Sequence, residues 1–145
     1  MYLASEMQSG FTILDHPSDL GIEARGSTLA EAFVRAAEGL MSVILDLSTV
    51  RSTEIRPIEI EAPDPSQLLV RWLTEILYLY DGLEFIAKNI ALEEFSSTSL
   101  RAVVRGERLD PSRHRTHLDV KAITYHQLEV SGGPEGGLVR VFLDI

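Results

Sequence analysis

The chain has 145 residues, 45% of them hydrophobic, and no cysteine. That length suits one two-layer domain, and the missing thiols exclude disulfides, thiolate metal sites and thiol nucleophiles. Its 22 acidic and 13 basic residues give a formal charge of -9, which disfavours strong direct binding to a phosphate backbone, so any link to nucleic acid is expected to run through a basic partner.

No stretch approaches the roughly 20 apolar residues of a membrane span. The first ten residues lack the basic start and apolar middle of a signal peptide. The cytoplasm is therefore the expected compartment, with residues 1–10 a flexible extension ahead of a domain over 11–145.

Phe11 to Asp15 is a short apolar run, and Leu20, Ile22 and Ala24 then alternate with Gly21, Glu23 and Arg25. Period two predicts a pair of strands joined at His16-Pro17-Ser18-Asp19. Thr28 and Glu31 have the spacing of a capping box, and Leu29, Phe33, Ala36, Ala37, Leu40, Met41 and Ile44 fall on one helical face, predicting a helix from Thr28 to about Leu45. Ile58 and Ile60 alternate with Glu59 and Glu61, and Pro57 marks this strand as an edge or a strand start. Asp64-Pro65-Ser66-Gln67 opens a second helix with a cap and a first-turn proline, and Gly82 is its expected stop. Arg71 and Glu75, four residues apart, read as a surface pair.

From Phe85 onward the helical period disappears. Leu100, Ala102 and Val104 keep period two beside Arg101 and Arg105, Val120 to Val130 reads as one strand, and Leu138 to Ile145 as the last. Ser131 to Gly137, rich in glycine, reads as a long mobile loop between the final two strands. The expected class is α+β: two helices packed on a largely antiparallel, twisted sheet.

The ending Asp144-Ile145 places a side-chain carboxylate next to an α-carboxylate if the chain stops there. Such neighbours repel unless water or a cation compensates them, which makes this end a candidate hard-metal site. Two carboxylates rarely fill a coordination sphere. Asp19, in its tight turn, is the best third donor, although turn aspartates more often only shape the backbone and end residues are more often merely solvated. All-oxygen ligation favours calcium first, with magnesium or manganese as alternatives, over zinc or copper.

A final hairpin symmetric about its loop would set Asp144 opposite Thr124 or a near neighbour, with His126 a diagonal neighbour on the same face, and a one-residue slip would flip that face. His126 reads as a ligand, a general base or, most commonly, a hydrogen-bonded core residue. His114 and His117 lie in a turn with Arg113 and Arg115, which reads as a solvated loop or as a docking patch for an acidic or phosphorylated surface. Lys121 reads as a surface lysine. The glycines after Ser131 form no phosphate loop, since the strand-to-helix context is missing.

Taken together, His16-Pro17-Ser18-Asp19-Leu20-Gly21-Ile22, Thr28 to Phe33, Trp72 to Tyr78, Gly106-Glu107, Val120-Lys121-Ala122-Ile123-Thr124-Tyr125-His126 and the terminal Asp144-Ile145 resemble the archease family, from Phe11 to Ile145 in order. The family usually has His-Thr-Ala-Asp at the first motif, so Pro17 and Ser18 depart from it while His16 and Asp19 are retained. The resemblance implies a non-enzymatic accessory protein of an RtcB-type RNA-splicing ligase in tRNA splicing. Archeases promote guanylylation of the ligase and allow its multiple turnover. The family's metal site maps onto Asp19, Asp144 and the terminal carboxylate of Ile145. A second role the family suggests is a chaperone-like module acting on RNA-modifying enzymes; a metal-dependent hydrolase using His126 as base has no identifiable nucleophile. Neither the oligomeric state nor the ligase-contacting surface follows from these residues.

Overall fold

The computed structural model describes residues 9–15 and 19–145, so residues 1–8 of the expected extension and the turn residues His16, Pro17 and Ser18 lie outside it. Strands β1 (Gly10–Asp15) and β2 (Leu20–Gly26) form the predicted antiparallel pair, from Gly10 opposite Arg25 to Asp15 opposite Leu20. Helix α1 (Leu29–Ile44) begins at Thr28, whose side chain accepts a hydrogen bond from the Glu31 amide, while the Glu31 carboxylate accepts one from the Ser27 amide. This reciprocal capping satisfies donors that the first helical turn would otherwise leave open.

Strand β3 (Glu54–Glu61) carries Pro57 and lies at a sheet edge, as expected of a strand interrupted by proline. Helix α2 (Pro65–Leu83) is capped by Asp64, which accepts from the Gln67 amide at 2.8 Å. The stop differs from expectation. Gly82 remains helical and Glu84 supplies the left-handed cap at φ 55°, its amide reaching back to Tyr80 at 3.0 Å. Arg71 forms no ion pair with Glu75 among the described residues; its guanidinium donates to the Glu61 carbonyl at 2.7 Å, drawn to the loop ahead of its own helix.

The remaining strands are β4 (Phe85–Phe95), β5 (Ser99–Arg108), β6 (Ala122–Gly133) and β7 (Gly136–Asp144). The α+β class holds, with the strands divided between two antiparallel sheets in the orders β1-β2-β7-β6 and β3-β5-β4. Both helices pack against both sheets. Phe33 meets Phe95 edge-on at 4.9 Å, and the buried Trp72 indole donates to the Phe33 carbonyl at 3.0 Å, tying α2 to α1. A buried indole N–H needs such an acceptor. No helix among the described residues is long and apolar enough to cross a membrane.

The long mobile loop expected over Ser131–Gly137 is absent. Both strands continue through it, Gly132 pairs with Gly137 and Gly133 with Gly136, and only Pro134 and Glu135 form the turn. The glycines serve close approach: a Cβ at Gly137 would stand 2.5 Å from the Leu29 Cα and 2.7 Å from the Thr28 carbonyl oxygen. The hairpin therefore lies directly against the start of α1.

Candidate functional site

Strand β7 alternates Val139, Val141 and Leu143, all buried, with Arg140, Phe142 and Asp144. The first set faces the helices; the second lies on the outer face of the four-stranded sheet. Cross-strand pairing turns that outer face into successive rungs. Arg140 lies opposite Glu23 on one side and Glu129 on the other, and its guanidinium reaches both carboxylates, at 2.9 Å and 3.3 Å. Phe142 lies opposite Gly21 and Thr124. Gly21 is needed here, since a Cβ would meet the Phe142 ring at 2.9 Å.

The next rung ends the sheet. Leu20 pairs with Leu143, and the residues one step further along the two strands are Asp19 and Asp144. Antiparallel continuation sets such neighbours roughly 4.5–5.5 Å apart at Cα. Asp19 is half-buried and Asp144 exposed, and Ile145, 38% exposed, follows Asp144 directly. On its other side Asp144 pairs with Ala122, and its carbonyl accepts from the Lys121 amide at 2.7 Å. Lys121 is exposed, as a surface lysine should be. Among the described residues no three His, Cys, Asp or Glu side chains converge on one point. A cation held between Asp19 and Asp144 would therefore need further oxygen atoms.

In the last hairpin Asp144 faces Ala122, a near neighbour two residues from Thr124, and Thr124 itself faces Phe142. Between Thr124–Phe142 and Glu129–Arg140, β6 advances five residues while β7 advances two, and Gln127 adopts φ 50° inside this irregularity. Extra residues of this kind bend a strand and re-aim its side chains. The even shift leaves Asp144 on its predicted face. His126, within the irregular stretch, is exposed and stands edge-on to Phe142 at 6.0 Å between ring centroids, so the core-histidine reading fails.

His114 also departs from expectation. It is neither solvated nor part of a docking patch; its side chain is wholly buried. Its Nδ1 accepts from the Asp110 amide at 2.8 Å, which leaves Nε2 to carry the proton and donate to Glu107 at 2.9 Å. Arg113 grips the same carboxylate with two bonds of 2.6 Å and 2.9 Å, and the Arg51 amide adds a third donor at 2.7 Å. The Arg113 guanidinium holds the Glu107 carboxyl far below the usual carboxylate range, against the effect of burial, with help from the Arg51 amide and His114. The local signal for this cluster was the Asp-Pro-Ser turn, in which Asp110 accepts from the Ser112 amide at 3.0 Å and returns the chain towards Glu107.

Residues 11–145 match the family model described as "Archease protein family (MTH1598/TM1083)". This chain belongs to the archease family. It is 34% identical over 139 residues to the protein archease of Methanosarcina acetivorans, covering 93% of this chain and 95% of that one. The solution structure of Methanobacterium thermoautotrophicum protein 1598 superposes with a TM-score of 0.77 at 31% identity, covering 95% of this chain and all of that one. A Thermotoga maritima archease, described as a possible chaperone, shares the fold with a TM-score of 0.61 at 16% identity, over 91% of this chain and 94% of its own.

Proposed function

We propose that this archease is a cation-dependent accessory protein of an RtcB-type RNA-splicing ligase, acting in the cytoplasm to promote guanylylation of the ligase and its multiple turnover. The observation that carries this reading is the β2–β7 register, which runs Asp19 and Asp144 out of the same end of the sheet next to Ile145. Adjacent carboxylates at a strand end favour a divalent cation, and an all-oxygen donor set favours calcium first, with magnesium or manganese as alternatives. Asp19, Asp144 and the Ile145 terminal carboxylate would hold it, and this chain itself would supply no catalytic group. When bound, the cation offers positive charge to phosphate oxygens at the partner's nucleotide site. The charge of -9 suits steered association with a basic RNA-binding enzyme.

Multiple-turnover ligation tests the reading, with wild type, Asp144→Ala and a chain extended beyond Ile145. The two altered chains should lose at least tenfold in stimulation of the ligase. Equal stimulation by all three would reject the carboxylate site. A chaperone-like role is the second reading, favoured by the description of the Thermotoga maritima relative. Client binding that survives loss of both Asp19 and Asp144 would support it.

A further inference from the structure

We propose that the groove over α2, between the two sheets, is a docking site for a lysine- or arginine-bearing segment of the partner enzyme; the identity of that partner rests on the ligase reading above. Strand β3 is an edge of the three-stranded sheet and β6 an edge of the four-stranded one. Both pack against α2. The groove between them has a volume of about 500 Å³, and Ile60 and Glu61 of β3, Val70 and Glu75 of α2 and Tyr125 of β6 line it.

Tyr125 is held out of the core by the backbone around it. By alternation it shares a face with Ile123, which belongs to the core, yet Tyr125 is 56% exposed. The cause is the irregular stretch of β6, which leaves the regular ladder after Thr124. The Thr124 hydroxyl donates to the Phe142 carbonyl at 2.9 Å and accepts from the His126 amide at 3.2 Å, fixing the chain on both sides of the ring. An aromatic side chain kept in solvent at the mouth of a groove is the kind of anchor that carries binding energy at interfaces.

The charges in the groove select the occupant. Arg71 turns its guanidinium onto the Glu61 carbonyl, and among the described residues neither the Glu61 nor the Glu75 carboxylate enters an ion pair. Glu59, also on the groove, is already met by Arg101 at 3.5 Å. Two open carboxylates beside an aromatic ring and two aliphatic side chains match a cation on an apolar stem. The ammonium or guanidinium takes the carboxylates and the ring face, and its methylenes lie on Ile60 and Val70. The same carboxylates repel a phosphate backbone, which rules against nucleic acid. A second copy, itself at -9, brings the wrong charge. A basic RNA-binding enzyme brings the right one.

Two equal changes of charge make the test. Glu75→Lys lies in the groove, whereas Glu135→Lys is exposed in the β6–β7 turn and outside it. Both alter the net charge by the same amount, so long-range steering changes alike in the two. Calorimetric titration into an RtcB-type ligase, with calcium present, should show affinity falling roughly tenfold further for Glu75→Lys than for Glu135→Lys. Tyr125→Ala, which alters no charge, should also lose roughly tenfold. Calcium affinity and the circular dichroism spectrum of all three variants should match wild type, which separates the loss from the Asp19 and Asp144 end. If wild type binds the ligase, and Tyr125→Ala and Glu75→Lys bind it no more weakly than Glu135→Lys, the groove is overturned and the ligase reading stands. A wild type that neither binds nor stimulates the ligase would overturn both. Self-association in sedimentation equilibrium that Glu75→Lys abolishes would give the groove to a second copy and overturn the proposal as well.

Discussion

Two carboxylate sites in this molecule are built on opposite plans. At Glu107 the chain supplies its own cation and donors: Arg113 with two bonds, His114 through Nε2 and the Arg51 amide. At the open end of the β2–β7 pair, Asp144 is exposed and enters no ion pair among the described residues, with Asp19 next to it in register. A carboxylate whose charge is answered within the chain contributes to stability and has little left to offer a ligand. One left facing solvent costs the fold little and retains its capacity to bind. The proposed cation site follows the second plan, and the cluster around Glu107 the first.

The largest effect expected from this contrast is at Glu107. Glu107→Gln removes the charge that compensates Arg113 and should lower the thermal midpoint by about 10 °C, the scale of breaking a part-buried ion pair, while leaving calcium affinity unchanged. A thermal melt beside a calcium titration separates the two readouts. Acid should act in the same direction. The folded-state carboxyl lies below its ordinary value of 4.5, so the unfolded chain takes up the proton first. The stability it contributes is complete above that ordinary value and drains away as the pH falls below it. Urea midpoints measured from pH 7 down to about 3 should fall more steeply for wild type than for Glu107→Gln.

Asp144→Ala should do the converse. It should weaken calcium binding at least tenfold, about 1.4 kcal/mol, and leave the midpoint in chelator within the narrow range of ordinary surface substitutions; calorimetry and a chelated melt check both. Arg140 is the intermediate case, half-exposed between Glu23 and Glu129. Arg140→Ala should cost no more than about 1 kcal/mol, measured by urea denaturation, and a larger loss would mean that this outer face is tighter than its exposure indicates.

Legibility followed physical periodicity. Strands and helices were readable where apolar residues kept period two or followed a cap, as at Val139, Val141 and Leu143, or from Thr28 onwards. The placement of Asp144 with Phe142 and Arg140 on one face needed only alternation. The register did not follow, because the irregular stretch between Thr124 and Glu129 adds residues without any proline or glycine to mark it. Gly132, Gly133, Gly136 and Gly137 resembled a loop by composition, whereas at Gly137 the missing side chain admits the backbone of α1. The Glu107 cluster escaped because its partners meet by a turn and a fold contact, with Arg51 distant in sequence, and neither obeys a period. Pairing across β2 and β7, which brings Asp19 alongside Asp144, is long-range and has no local signature.

The strand order carries a consequence for how the chain is made. The last strand in sequence, β7, sits inside its sheet, hydrogen-bonded to β2 on one side and β6 on the other. A ribosome releases β2 more than a hundred residues before β7, a wait on the order of ten seconds at usual rates of synthesis. During that wait the N-terminal hairpin and α1 can form, yet the inner edge of β2 has no neighbour. The sheet closes only when β7 is inserted, so the nascent archease holds open a slot beside β2 for a strand made more than a hundred residues later.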